Sequence, residues 1–242
     1  MALLEVKNLK KSFGGIQAVN DCSFKIEDGC IYGLIGPNGS GKTTIFNLIT
    51  GFYKEDSGDI FFRGERINGL KPYQRTERGI GRTFQLVRVF RKMKVLDNLL
   101  VPPHLEKLDK ETRLQKAIDL LKFVELERLK DELAENLSFG QQRLLEFAIV
   151  LMQDPDLILL DEPTSGVNPA LIKKMCDNIK QLCKEGKTFL IIEHNIPAIM
   201  DTCGTVIVLD YGRKIAEGSG ADIAKDERVI EAYLGAGAEV HK

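Results

Sequence analysis

The chain has 242 residues, with 34 Lys and Arg against 35 Asp and Glu for a formal charge of −1. At roughly 100–200 residues per domain this is one large domain or two small ones, long enough for a substantial core, and the near-neutral charge argues against a general nucleic-acid coat or a polybasic membrane binder. Hydrophobic residues at 43% and charged residues at 29% are the balance of an ordinary globular protein. The longest unbroken apolar run, Phe147 to Met152, is far short of the ~20 residues of a spanning helix. No basic region followed by an apolar stretch opens the chain, so no secretion signal is read and a cytoplasmic location is expected. Cys22, Cys30, Cys176, Cys183 and Cys203 contain no CxxC pair, which suggests neither a zinc knuckle nor a disulfide framework.

The first thirty residues read as strands, with Cys22, Phe24 and Ile26 alternating against Ser23, Lys25 and Glu27. Ile31–Ile35 is a short apolar strand leading into a glycine-rich turn, and Ile45, Leu48, Ile49 and Phe52 then follow at helical spacing to a stop at Gly51, a βα unit. From about Asp109 to Leu137 the chain reads as charged and helical, with Asp109 as cap and apolar stripes through Leu114, Ile118, Leu121 and then Leu126, Leu129, Leu133. A capped helix is expected over Gln141–Met152 and a buried strand over Leu157–Leu160. Asn168, Pro169 and Gly186 bracket a further helix. Phe189–Ile192 reads as a strand, Val206–Leu209 and Lys214–Ala216 as a hairpin, and Gly235 to Lys242 as a loose tail. Strands alternating with helices predict an α/β core on a mainly parallel sheet.

Gly36-Pro37-Asn38-Gly39-Ser40-Gly41-Lys42-Thr43, followed by Thr44, fits the phosphate-binding loop G-x-x-x-x-G-K-S/T between a strand and a helix. Glycines let successive N–H groups turn toward phosphate oxygens, Lys42 would reach the β- and γ-phosphates, and the Thr43 hydroxyl would hold Mg²⁺. Asp161 ends the strand Leu157–Leu160, the edge at which α/β sheets place ligands, and would orient the metal; Glu162 follows as candidate general base. Gln85 could reach the metal or the attacking water. His194, after the strand Phe189–Ile192, reads equally as a structural histidine or a γ-phosphate contact. Ser138 with Gln141 is a capping-box pattern; Ser138, Gly140 and the helix N-terminus could also form a second anion site.

The order of phosphate loop, Gln85, Leu137-Ser-Phe-Gly-Gln-Gln142, Leu157-Ile-Leu-Leu-Asp-Glu-Pro163 and a His-bearing strand end resembles the ATP-binding-cassette ATPases over nearly the whole chain. The resemblance implies a P-loop NTPase (RecA-like) core with an N-terminal antiparallel β subdomain and an inserted α-helical subdomain. On that division 1–84 and 153–234 form the core with its β subdomain, 85–152 the helical subdomain and 235–242 the tail. It also implies Phe13 stacked on adenine, and Ser138–Gln141 capping the ATP of a partner subunit in a head-to-tail dimer. The charged helices would dock integral membrane permease subunits, which place the chain on the inner face of the membrane, with the Gln85 region coupling nucleotide state to them. Two departures stand out: Phe139 replaces the second glycine of the family's LSGGQ, and Asn168 replaces an aspartate in Ser165-Gly-Val-Asn168. With the FGGIQAV opening, RTFQ and Glu231-Ala-Tyr-Leu-Gly235, they resemble ATPases of branched-chain amino-acid importers and their urea-importing relatives, systems that also imply an extracytoplasmic solute-binding protein.

Other readings remain open on the residues alone. A P-loop small-molecule kinase leaves the Ser138 motif unexplained. A guanine-nucleotide switch lacks an Asn-Lys-x-Asp reader, and a soluble ATPase acting on DNA or ribosomes lacks coiled-coil insertions or a second cassette. Between Arg63 and Lys94 stand ten Lys and Arg and two acids, a local +8 against −9 elsewhere. That stretch is expected to form a basic face, part of it turned to lipid headgroups or to acidic residues of a permease.

Overall fold

A computed structural model describes residues 2–102 and 108–238. Its layers follow from alternation along the strands. In β7 (Leu157–Asp161), Leu157 and Leu159 join one hydrophobic core while Ile158 and Leu160 join the other; β8 (Thr188–Ile192) and β9 (Thr205–Asp210) divide in the same way. A strand buried on both faces needs a layer on each side, and that is the signature of a parallel sheet covered twice. The sheet has six strands in the order β10-β9-β3-β8-β7-β6, adding β3 (Ile31–Ile35), β6 (Ile80–Arg82) and β10 (Arg213–Gly218). All neighbours run parallel except the β9–β10 hairpin at one edge.

One face is covered by α1 (Lys42–Ile49) and by a four-stranded antiparallel sheet, β2-β1-β4-β5, built from β1 (Ala2–Phe13), β2 (Ile16–Glu27), β4 (Ser57–Phe62) and β5 (Glu65–Arg66). Cys22, Phe24 and Ile26 point into that layer as their spacing predicts. Against the other face lie α3 (Val95–Leu100), α4 (Lys110–Phe123), α5 (Phe139–Leu151), α6 (Pro169–Lys184) and α7 (Ile196–Thr202). Asp109 and Asn168 cap α4 and α6 as expected, their side chains accepting from Thr112 N and Leu171 N.

Three expectations need correction. The stripe Leu126, Leu129, Leu133 does not extend a helix: Glu125 takes φ 61°, ending α4, and the chain continues in 3-10 turns at Glu127–Leu129 and Ala134–Asn136. Leu126 is nonetheless buried, so its apolar period reports burial and not helix length. Second, α8 (Gly220–Ile223) is followed by α9 (Glu227–Ala238), which passes Gly235 where a tail is expected; alternating alanines supply the strongest helix former, and residues 239–242 lie outside the described residues. Third, the basic stretch is no uniform face. Arg75, in α2 (Pro72–Glu77), is 2% exposed and donates to the Leu48, Ile49 and Leu70 carbonyls, closing the end of α1. Arg82 is also internal, whereas Arg88, Arg91 and Lys92 are exposed.

Candidate functional site

The phosphate loop joins β3 to α1, and its shape is dictated by what lies around its glycines. A Cβ on Gly36 (φ 149°) would stand 2.1 Å from the Leu209 carbonyl oxygen, and one on Gly41 (φ 100°) 2.3 Å from that of Ala18. Only glycine fits both the backbone angle and the space. Gly41 also sits at the N-cap of α1 without a side-chain cap, so the helix-opening N–H groups have no hydroxyl or carboxylate over them. Inside the loop, Lys42 Nζ donates to the carbonyls of Gly36 and Pro37, each at 2.8 Å. Burial lowers its pKa, while the nearby Glu162 and Asp161 raise it. A cation held by loop carbonyls is already positioned for anionic oxygens.

The carboxylates stand at the C-terminal edge of the parallel sheet, as their place after β7 predicts. Asp161 is 1% exposed; its Oδ2 accepts from Arg82 Nη2 at 3.1 Å, and its Oδ1 is buried with no hydrogen-bond partner among the described residues. Burial raises its pKa, and Arg82 offsets only part of that rise. Glu162 takes φ 50°, a left-handed conformation held by its N–H on the Ile192 carbonyl, and its Oε1 lies 2.9 Å from His194 Nε2. Backbone strain of about 1–3 kcal/mol at such a residue persists where surroundings over-determine it, as they do at functional sites. The structure thus brings Glu162 and His194 together from adjacent strands, a pairing that neither residue type reveals alone.

The residue types fit ATP with Mg²⁺. Among the described residues no cluster of three or more His, Cys, Asp or Glu could cage an ion. One buried, unpartnered carboxylate oxygen on Asp161, with a hydroxyl from Thr43 of the phosphate loop, is the sparse kind of oxygen set that Mg²⁺ uses when phosphates and water complete its shell.

The other expected residues fall in two groups. Phe13, 42% exposed, lies at the tip of the β1–β2 hairpin, packed edge-on to Tyr53 with centroids 5.1 Å apart. The same hairpin touches the phosphate loop through Ala18, so an exposed ring stands near the nucleotide end of the fold. Gln85 is exposed and makes no hydrogen bond to Asp161, Glu162 or His194. Ser138 caps α5 in a reciprocal box with Gln141. The departures find structural uses: Asn168 caps α6, and the Phe139 ring lies against Gly166, 3.2 Å from where its Cβ would be.

Several residues escaped the sequence reading. Arg143 donates to the carbonyls of Phe84 and Gln85, and Glu146 Oε1 accepts from the N–H groups of Phe84 and Arg88, so α5 grips the Gln85 loop from its first turns beyond Ser138. Glu193, 5% exposed, accepts from Thr164 N at 2.7 Å and ties the loop after Glu162 to that bearing His194. For Arg143 and Glu146 the available signal was a charged residue among apolar helical positions, and for Glu193 a carboxylate at a strand end; neither signal by itself names its partner.

A phosphate loop, a parallel sheet with acids at its ligand edge and the helix α5 capped by Ser138 define a nucleotide-hydrolysing cassette. The chain belongs to the ABC transporter ATPase family: the ABC transporter model matches residues 19–165, and a second model, branched-chain amino acid ATP-binding cassette transporter, matches 213–239. It is 40% identical to a probable branched-chain amino acid transport ATP-binding protein, LivG, of Archaeoglobus fulgidus, over 98% of this chain and 96% of that protein. It is 37% identical to the high-affinity LivG of Salmonella typhimurium over 96% and 98%. Among solved structures, the ADP conformation of an ATP-binding cassette of an ABC transporter superposes with TM-score 0.88 at 35% identity, covering 97% and 99% of the two chains. A dimeric post-hydrolysis cassette bound to ADP and Pi has TM-score 0.81 at 28% identity, covering 89% and 98%.

Proposed function

We propose that the chain is the ATP-hydrolysing subunit of an importer for branched-chain amino acids, with Mg²⁺ as cofactor. The Glu162–His194 pair at 2.9 Å, on the sheet edge that carries the phosphate loop, is the observation that carries the hydrolytic reading. Glu162 takes the proton of the attacking water; His194 orients that carboxylate and contacts the γ-phosphate; Lys42 and the loop N–H groups hold the β- and γ-phosphates. Thr43, Asp161 and Gln85 are the metal's ligands, and the ion when bound neutralises charge on the phosphates. Phe13 stacks on the adenine. Ser138, Gly140 and Gln141 cap the ATP of a second copy or a paralogous subunit in a head-to-tail dimer. That dimer closes on two ATPs and reopens after hydrolysis.

The amino-acid substrate rests on relatives at 37–40% identity over nearly the full chain. No described helix is long and apolar enough to cross a membrane; in this reading, separate permease subunits form the transport path, with an extracytoplasmic binding protein delivering the solute. The exposed Arg88, Arg91 and Lys92 face that assembly. The test is co-purification with the permease followed by uptake of labelled leucine or urea into proteoliposomes containing ATP. Leucine uptake that charge reversal at Arg88, Arg91 and Lys92 weakens severalfold is expected. Urea uptake instead overturns the substrate, and unchanged assembly and coupling overturn the docking role of the three cations.

A further inference from the structure

Arg82 ends β6, and its side chain is only 7% exposed. Nη1 donates to Asn47 Oδ1 at 2.6 Å and Thr50 Oγ1 at 3.0 Å, both near the end of α1, while Nη2 donates to Asp161 Oδ2 at 3.1 Å. The rings of Phe46, Phe52 and Phe84 surround the guanidinium with centroids 5.8, 5.6 and 4.9 Å away. The same residue lines a surface cleft of about 210 Å³ together with Phe52, Tyr73 and Phe84. A buried ion pair is weak grounds for stability, because desolvating both charges offsets their attraction. Geometry is the better reason for this one. A planar fork anchored twice on α1 can fix the rotation of a carboxylate in a way a point charge cannot. With Oδ2 taken, the other oxygen of Asp161 is the buried atom without a partner.

We propose that Arg82 is a positioning residue for hydrolysis: it holds Oδ2 of Asp161 from an anchor on α1 and thereby leaves Oδ1 directed at the metal. This rests on the proposed assignment of Asp161 as the metal carboxylate. Loss of the guanidinium has two opposed effects: it removes a like charge beside the ion, which tightens binding, and it frees the carboxylate, which loosens binding. The proposal requires the second to win. Groups that orient a metal ligand typically contribute 10–100-fold to metal affinity.

The experiment titrates Mn²⁺ into the nucleotide-loaded full chain and reads free ion by electron paramagnetic resonance, for wild type, Arg82→Gln, Arg82→Lys and Asp161→Asn. Arg82→Gln is expected to weaken Mn²⁺ binding about tenfold or more, with nucleotide affinity in EDTA unchanged and kcat falling while KM stays within about twofold. Arg82→Lys, which can meet one partner but not all three, should fall between. Mn²⁺ affinity of Arg82→Gln within twofold of wild type, or tighter, overturns the proposal. If Arg82→Gln melts far below wild type, Asn47→Ala takes its place, with a severalfold loss expected and wild-type affinity overturning the anchor. Asp161→Asn separates the two failures: retained Mn²⁺ affinity there removes the metal assignment itself, whereas loss there with none in Arg82→Gln removes only the role of Arg82.

Discussion

The phosphate loop and the loop carrying Gln85 both leave the same edge of the parallel sheet, yet they are held in different ways. Gly36–Lys42 is fixed by backbone: glycines against the Leu209 and Ala18 carbonyls, and a lysine on its own loop's oxygens. The Phe84–Arg88 segment is held by side chains sent from elsewhere, Arg143 and Glu146 of α5. Backbone confinement makes a permanent shape, suited to binding a ligand of constant form. Side-chain tethers let one rigid body move another, suited to relaying whether the ligand is present. The difference supports the proposed division of binding in the first loop and communication in the second.

The sharpest way to break this division lies between the two, at Glu162. Removing a general base typically lowers turnover ~10²–10⁴-fold, so Glu162→Gln should nearly abolish phosphate release while equilibrium ATP binding stays at the wild-type level. Hydrolysis near the wild-type rate would remove Glu162 from the base role. Next in size, Lys42→Ala removes charge-assisted bonds to phosphate. At roughly 1.5–3 kcal/mol for a bond to a charged group, fluorescent ATP analogue titration should show affinity reduced about 10–100-fold. Retained tight binding would mean the loop backbone alone does the work.

The smallest effect tests the second loop. Burial raises the pKa of Glu146 above its ordinary 4.5. For a group whose folded-state pKa is raised, the stabilisation is fully present below the unfolded value and is lost as pH rises through the folded one. Glu146→Gln keeps an acceptor for the Phe84 and Arg88 N–H groups but cannot ionise. Denaturant titrations stepped upward from about pH 4.5 should therefore show wild-type stability falling relative to the variant, with a flat difference beyond the raised pKa. A difference that is flat throughout would place Glu146 in a solvated setting at odds with its 4% exposure.

Legibility in the sequence follows the range of the interactions involved. β3, the glycine loop and α1 were readable because period, turn and helix start lie within twenty consecutive residues, and the caps Asp109, Ser138 and Asn168 act on N–H groups three positions away. The stripe through Leu126 and Leu133 misled because helices and tightly packed 3-10 turns show similar apolar spacing; Glu125, at φ 61°, carries none of the usual glycine signal for a stop. Arg82 and Arg75 looked like members of a basic face because charge counts do not record which cations find buried acceptors 26 to 79 positions away.

The chain by itself thus determined the local geometry, namely the phosphate cradle, the strand ends bearing Asp161 and Glu162, and the alternation that demands a doubly covered sheet. These depend on residues adjacent in sequence, where φ restrictions and side-chain period leave few choices. Only the tertiary structure decided which of those pieces meet. It set Glu162 against His194 and α5 against the Gln85 loop, and it put Arg82 between Asp161 and α1. Such contacts join residues from separate strands and helices, and strand order and packing, not spacing along the chain, fix the distances between them.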